Sequence, residues 1–174
     1  VDQVKGGVIP GVFMPAVEKG VRQALEGGVT AGFPVEDLRV IVHDGKTHPV
    51  DGKEVAFVTA GRKATIEAIR AASPIVLEPI VSIEILTPES AIGDLTGDLS
   101  SRRGHITGTS PRPGGSAAIT GEVPLAEITD YASRLKSMTG GQGSYNIEFV
   151  RHAQVPPQVQ QKLAASFLLK DEDE

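Results

Sequence analysis

The order in which the hydrophobic period changes between Leu77 and Val150 constrains the fold more than any other feature of this sequence. Apolar residues alternate with a period of two, which is typical of strands, in Leu77–Ile85 and in Tyr145–Phe149. Two short strands are predicted between them, around His105–Thr109 and Ala117–Val123, as the arms of a hairpin. Helical spacing begins twice, after Pro88 and after Pro124. The order β-α-β-β-α-β is the split βαβ arrangement, so the sequence predicts a ferredoxin-like domain.

The two helices of this region are predicted to bury apolar residues that lie three or four positions apart. These are Ile92, Leu95 and Leu99 in the first helix, and Leu125, Ile128, Ala132 and Leu135 in the second. Arg102 and Arg103 would place cations in the last turn of the first helix, and Gly104 would stop it. A proline- and glycine-rich stretch, Pro111–Gly115, predicts a hairpin loop between the two central strands.

The first 74 residues contain too few strands to complete an α/β layer. A helix is predicted from Pro15 to Gly27, and a strand from Val35 to Asp44. A second helix would start at Asp51, with Glu54 completing a capping box. Its small residues are predicted to pack closely on a sheet: Ala56, Ala60, Ala64, Ala68 and Ala71 or Ala72. A boundary is predicted near Ser73–Ile75, and the start at a valine indicates a fragment of a longer protein.

Composition excludes several classes of protein. The chain has no cysteine, which excludes disulfides and thiolate metal sites. Aromatic residues make up only 4%, which argues against an RNA platform built on base stacking. The net charge is −5, and the acidic tail of residues 171–174 carries four of those charges, so a uniformly basic nucleic-acid binder is excluded but a local basic patch is not. No apolar run approaches the roughly 20 residues of a transmembrane helix.

Three groups of residues could carry chemistry. His43 and His48 lie near Asp44 and Asp51, as in a general base or half of a metal site, but no third ligand or nucleophile appears at a supporting spacing, which favours a polar loop with an ordinary exposed histidine. The glycines after Thr139 follow a helix rather than precede one, which indicates a helix stop and not a phosphate loop. The adjacent Arg102 and Arg103 could bind a phosphate backbone through their guanidinium groups. Alternatively, they could only interact favourably with the negative end of the helix dipole and stay solvated.

Short motifs along nearly the whole chain resemble the C-terminal part of bacterial translation elongation factor G, a ribosomal GTPase, or a paralogue similar to it. The motifs are Gly6–Pro10, Pro15–Gly20, Ala31–Val35, Asp44–Asp51, Leu77–Ile80, Gly93–Gly104, Val123–Glu127 and Ser137–Tyr145. Each is short, but their order and spacing make the set specific.

The resemblance implies an α+β fold in four parts. Residues 1–74 would be a partial domain IV, a ribosomal protein S5 domain 2-like α/β layer, and residues 75–153 would be the ferredoxin-like domain V. Residues 154–170 would form a C-terminal helix that packs back toward domain IV, and residues 171–174 an acidic tail. In this view the nucleotide-binding domain is absent, so the fragment itself would not be an enzyme or bind a cofactor. GTP and Mg²⁺ would bind the missing domain of the parent.

The resemblance also implies a ribosome-binding function in translocation during protein synthesis in the cytoplasm. The loop around His48, with Lys46 and Lys53, would contact tRNA and mRNA in the small-subunit decoding region. Large-subunit rRNA near the GTPase centre would be contacted from domain V by Arg102, Arg103, Gly141, Gln142 and Ser144. His48 is the position where the functional histidine of the family's loop falls.

The sequence departs from the family pattern at three places, which leaves alternatives open. Gly52 and Lys53 follow Asp51 where the translocase has two serines, Gln142 replaces an arginine, and the acidic end is atypical. A paralogue in ribosome recycling or ribosome protection therefore fits as well. Two further classes are a stand-alone metal-dependent enzyme using His43, His48 and Asp51, and a protein-interaction module that self-associates through exposed sheet edges.

Overall fold

The chain divides into two units, each described here by itself. In a computed structural model, which describes residues 1–4, 8–47 and 53–172, unit 1 comprises Val1–Val76 and Pro156–Glu174, and unit 2 comprises Leu77–Val155. Unit 1 contains the helices α1 (Met14–Gly27), α2 (Glu54–Ala71) and α5 (Pro157–Glu172). Unit 2 contains β1 (Leu77–Pro88), α3 (Ile92–Ser101), β2 (His105–Arg112), β3 (Ser116–Pro124), α4 (Tyr131–Met138) and β4 (Ser144–Gln154).

Unit 2 has the predicted ferredoxin-like architecture. Its four strands form an antiparallel sheet in the order β2-β3-β1-β4, and α3 and α4 pack on one face of it. The central strand β1 alternates, with Val81, Ile83 and Ile85 turned toward the helices. Leu95 and Leu99 of α3 meet them and are no more than 1% exposed. The α+β fold class and the strand and helix order predicted for this region are confirmed.

One detail of the predicted core is wrong. Leu125 and Ala132 are exposed, whereas Tyr131 is fully buried between Ile128 and Leu135. The reason is that α4 begins only at Tyr131, after a separate 3₁₀ turn at Leu125–Glu127, so a single helical period does not run through the whole segment.

Among the described residues of unit 1, a close contact between α1 and α2 takes the place of a sheet. A Cβ on Gly61 would lie 2.7 Å from the carbonyl oxygen of Val17, and one on Gly20 would collide with the carbonyl oxygen of Val58. Beside this contact, Phe13 stacks on Phe57 with ring centroids 4.3 Å apart. The buried cluster around them is small: Ile9, Ala16, Val17 and Phe57.

Three predictions for unit 1 are wrong. Residues 35–44 form no regular strand: with the other described residues their backbone makes a single parallel bridge, Asp2↔Val42, and a ladder needs more paired residues than this. Helix α2 begins at Glu54, with Lys53 as its N-cap, and not at position 51; the predicted cap Asp51 lies outside the described residues.

The third wrong prediction is that the row of alanines on α2 packs on a sheet. The buried side of α2 is Phe57, Gly61 and Thr65, which faces α1. Ala60, Ala64 and Ala68 instead line an open groove of about 390 Å³ beside the extended segment 40–46. The row is exposed because no sheet covers this side of α2 in the described part of the chain.

The C-terminal helix forms as predicted and belongs to unit 1. The ring of Phe167 approaches Gly32, where a Cβ would lie 2.9 Å from its Cδ2 atom. The helix extends through Asp171 and Glu172, which were expected in the acidic tail, and the last two residues lie outside the described part.

Candidate nucleic-acid interface

The end of α3 sets the position of the two candidate arginines. Helix α3 stops at Ser101, Arg102 is its C-cap, and Arg103 has a φ of 61°, in the left-handed region. The Gly104 N–H then donates to the Leu99 carbonyl at 2.8 Å, which closes the helix. Gly104 was predicted to stop the helix, and the two arginines were predicted to lie in its last turn; the arginines instead follow that turn. Glycine is needed at position 104 for close approach, since a Cβ there would lie 2.6 Å from the Leu99 oxygen.

Arg103 is held by two carboxylates. Its Nη1 and Nη2 atoms donate to the two carboxylate oxygens of Glu78 at 2.6 and 2.8 Å, and its Nε donates to Glu127 at 2.8 Å. Glu78 is buried at the start of β1, so this bidentate pair ties the end of α3 to the sheet. The hydrogen bonds that Arg103 donates to Glu78 are the largest cause of the raised pKa of its guanidinium.

Arg102 is held in a similar way by its own group of acceptors. Its Nε donates to Asp98 at 2.9 Å, and its Nη1 donates to Asp130 at 2.8 Å and to the Glu127 carbonyl at 2.6 Å. The guanidinium carbon lies 5.6 Å from the centre of the Tyr131 ring. The hydrogen bond with Asp130 raises the pKa of Arg102 and, reciprocally, lowers the pKa of Asp130.

These contacts change the interpretation of the arginine pair. The side chains of Arg102 and Arg103 are only 18% and 29% exposed, and most of their donors are already used. With Arg134, which bonds to Asp98 at 3.0 Å, the cluster has three cations and four carboxylates. It is therefore not a free cationic patch, and the proposed phosphate contact of the two arginines stays a prediction.

The glycine-rich turn after α4 has its backbone donors committed internally. The N–H of Gly141 donates to the Lys136 carbonyl at 2.9 Å, and those of Gln142 and Gly143 donate to the Thr139 carbonyl and hydroxyl at 3.2 and 3.0 Å. This turn is a helix stop, and it presents no nest of free amides to an anion. Gly141, Gln142 and Ser144 are not buried, so an RNA contact here would use side chains or close backbone approach.

The candidate loop of unit 1 is described only at its two ends. Lys46 and Lys53 are exposed on either side of it, while His48 lies outside the described residues together with Asp51. The stem is fixed by Thr47, whose hydroxyl donates to the Val8 carbonyl at 2.6 Å. Lys46 and Lys53 therefore flank residues 48–52 in the sequence and are both exposed, and the role of His48 stays a prediction.

The described residues contain neither a metal-binding cluster nor a membrane-spanning helix. Within residues 1–4, 8–47 and 53–172, no three His, Cys, Asp or Glu side chains are placed to hold a metal ion. His43 is exposed, and its predicted partners for a metal site, His48 and Asp51, fall outside that part. No helix in the same residues combines the length and apolar character needed to cross a membrane.

Comparison with known proteins identifies the family. The family described as elongation factor G, domain IV, matches residues 1–73, and the family described as elongation factor G C-terminus matches residues 75–163. The two matches are consecutive, domain IV first and the C-terminus second, and together they cover nearly the whole chain. The chain therefore belongs to the elongation factor G family, and its sequence resemblance to the C-terminal part of that factor is confirmed.

Two relatives support the same assignment. An elongation factor G-like protein from Thermotoga maritima is 45% identical over 163 residues, which are 94% of this chain and 24% of that protein. A crystal structure of a protein from Thermus thermophilus matches with a TM-score of 0.73 and 38% identity, over 97% of this chain and 25% of that one. The chain thus spans about a quarter of the length of these relatives.

Proposed function

We propose that this chain is the ribosome-binding region of a translational GTPase that promotes movement of tRNA and mRNA during elongation. The observation that carries the proposal is the match of two consecutive domains of elongation factor G to residues 1–73 and 75–163. GTP and Mg²⁺ would be bound by another domain of the parent, and the work of this part would be mechanical. It would bias tRNA movement by binding one ribosomal state better than another, in the cytoplasm.

Each unit would supply one contact surface. In unit 1, the loop that carries His48 would reach tRNA and mRNA in the decoding region, with Lys46 and Lys53 at its two ends. In unit 2, the turn with Gly141, Gln142 and Ser144 would face large-subunit rRNA near the GTPase centre. Arg102 and Arg103 would lie at that surface too. Their guanidinium groups would contact phosphate while they remain hydrogen-bonded to the carboxylates at the end of α3.

Substitution of the two lysines beside the loop of unit 1 is the most direct test of RNA binding, because the chain as a whole is negatively charged. The whole chain has a net charge of −5, so attraction to RNA has to come from a local cluster of positive charges. A lysine in contact with phosphate contributes about 1 to the slope of log affinity against log salt. Lys46 and Lys53 are both exposed, and their loss leaves the described cores of both units unchanged.

The experiment is co-sedimentation of the chain with 70S ribosomes across a salt series. The Lys46→Ala/Lys53→Ala variant should bind more weakly and reduce the salt slope by about 2. The matched control is Lys19→Ala/Lys63→Ala, which removes two exposed lysines from α1 and α2 of the same unit and should bind as the wild type does. Equal slopes for the two variants, or no binding of a folded wild-type chain at low salt, would contradict the proposal.

A paralogue in ribosome recycling or protection is the second candidate. The Thermotoga maritima relative is named an elongation factor G-like protein, and Gln142 stands where the translocase pattern has arginine. A competition assay separates the two roles. A chain from a translocase should displace the housekeeping factor from pre-translocation ribosomes, and a chain from a recycling factor should compete on post-termination ribosomes.

A further inference from the structure

The segment that connects α2 to β1 is bound by a side chain from the far end of the sequence. Gln160, in the first turns of α5, donates from Nε2 to the Pro74 carbonyl at 3.2 Å. Its Oε1 accepts the N–H of Val76 at 3.1 Å. Both bonds are partly buried, and both belong to unit 1.

The pattern of these two bonds is that of a β ladder. A residue in a parallel strand bonds to the carbonyl before, and the N–H after, the residue that it pairs with. The Gln160 carboxamide makes the same two bonds around Ile75. Among the side chains only Asn and Gln carry a donor and an acceptor on one rigid amide plane, so Gln160 acts as a single residue of a strand.

Both ends of the connecting segment are also restricted. Ser73, which follows the C-cap of α2, has a φ of 55°, in the left-handed region, and Pro74 has its φ fixed by its ring. Val76 is only 7% exposed. On the other side, the Gln160 N–H donates to the Pro156 carbonyl at 3.0 Å, so the residue that holds the connection is itself fixed at the start of α5.

We propose that Gln160 is a clamp that makes residues 74–76 a rigid part of unit 1. The chain passes between the units at two places, Val76–Leu77 and Val155–Pro156. Gln160 thus fixes the last residues of unit 1 before the first of these junctions, and the start of α5 is held by its own hydrogen bonds after the second. This inference does not depend on ribosome binding and is tested on the isolated chain.

The test is hydrogen exchange at the Val76 amide in the 174-residue chain. Gln160→Ala removes both bonds and should accelerate exchange at Val76 about tenfold or more. Gln160→Glu keeps an acceptor for Val76 but loses the donor to Pro74, so a smaller acceleration is expected. The matched control is Gln161→Ala, the exposed neighbour on the same helix, which should leave the rate unchanged.

The pattern of exchange decides between a clamp and a general stabilising contact. Acceleration confined to the residues around 74–77, with the rates in α2 unchanged, supports the clamp. An unchanged rate in Gln160→Ala overturns it. Acceleration of equal size throughout α2 overturns it as well, because Gln160 would then stabilise unit 1 as a whole.

Discussion

The two units solve the problem of burying apolar surface in different ways. Unit 2 packs large side chains from a sheet and two helices, with Ile85, Leu95 and Tyr131 at 0% exposure. Unit 1 brings two helix backbones together at glycines and buries few side chains around Phe57. A core of side chains can adjust when one of them changes, whereas two backbones in contact cannot, so the units should respond differently to small substitutions.

The largest expected effect is that of Gly20→Ala on unit 1. The new methyl group would collide with the carbonyl oxygen of Val58 and lie 2.8 Å from the backbone nitrogen of Arg62. Because both are backbone atoms, α1 and α2 have to move apart, at a cost of about 3 kcal/mol. Hydrogen exchange resolved by segment should show faster exchange in α1 and α2, with unit 2 unchanged.

The control for this substitution is Gly97→Ala in α3. Nothing lies within 4 Å of a Cβ at Gly97, so the same change in a helix of unit 2 should stabilise it by about 0.5–1 kcal/mol. If both variants shift stability in the same direction, glycine contact is not what holds unit 1.

The next effect is the loss of the Arg103 ion pair in unit 2. Arg103→Ala leaves the buried Glu78 carboxylate without its bidentate partner, which should cost about 2 kcal/mol after allowance for the partial exposure of the arginine. Urea unfolding of unit 2 measures it. Arg112→Ala is the control, because its pair with Glu84 is exposed and 3.4 Å long, and it should change stability by less than about 0.5 kcal/mol.

Equal effects of these two arginine variants would contradict the assignment of Arg103 to a structural pair. An Arg103→Ala variant that folds as stably as the wild type but binds ribosomes less tightly would instead favour a direct phosphate contact.

The sequence predicted unit 2 far better than unit 1, and the physical reason is where the partners lie. In unit 2, the strands that pair and the helices that cover them all occur between Leu77 and Gln154, so local periodicity reports the fold. In unit 1, the segment around Val40 has the composition of a strand but finds only one bridge among the described residues. Intrinsic preference for a strand is not enough without neighbours to pair with.

The site shows a second limit of the sequence. Arg102 and Arg103 are conspicuous as adjacent cations, and Asp98, four residues before Arg102, is a partner that the helical spacing could have indicated. Their other partners, Glu78, Glu127 and Asp130, lie 24 to 28 residues away and carry no local signal. The position of the arginines could be predicted, and most of the neutralisation of their charge could not. Gln160 is a similar case, since 84 and 86 residues separate it from the two backbone groups that it binds.

A smaller effect is expected from Tyr131→Phe. The Tyr131 hydroxyl is buried and has no hydrogen-bond partner among the described residues. Burial is the first cause that raises the pKa of this hydroxyl to about 12. Removing it keeps the edge-to-face contact with Tyr145, whose ring centre is 5.4 Å away, and relieves the desolvation of the hydroxyl.

The Tyr131→Phe variant should therefore unfold at an unchanged urea concentration or be more stable by up to about 1 kcal/mol. A clear loss of stability would mean that the hydroxyl does have a partner in solution, such as a buried water.

The smallest expected effect is a pH dependence confined to unit 2. Asp130 has a lowered pKa in the folded chain, first because of its hydrogen bond with Arg102. The Asp130 carboxyl then binds a proton more readily in the unfolded chain than in the folded one. The stabilising contribution of Asp130 is therefore complete above its ordinary pKa and is lost as the pH falls through the lowered value.

Unit 2 of the wild type should lose more stability than unit 2 of Asp130→Asn when the pH falls from about 5 to below the ordinary aspartate pKa of 3.8. Because Asp130 is exposed, about 1 M salt should reduce the difference, and unit 1 should show none. Parallel acid unfolding of the two proteins would mean that Asp98 and the Glu127 carbonyl hold Arg102 without a contribution from the Asp130 charge.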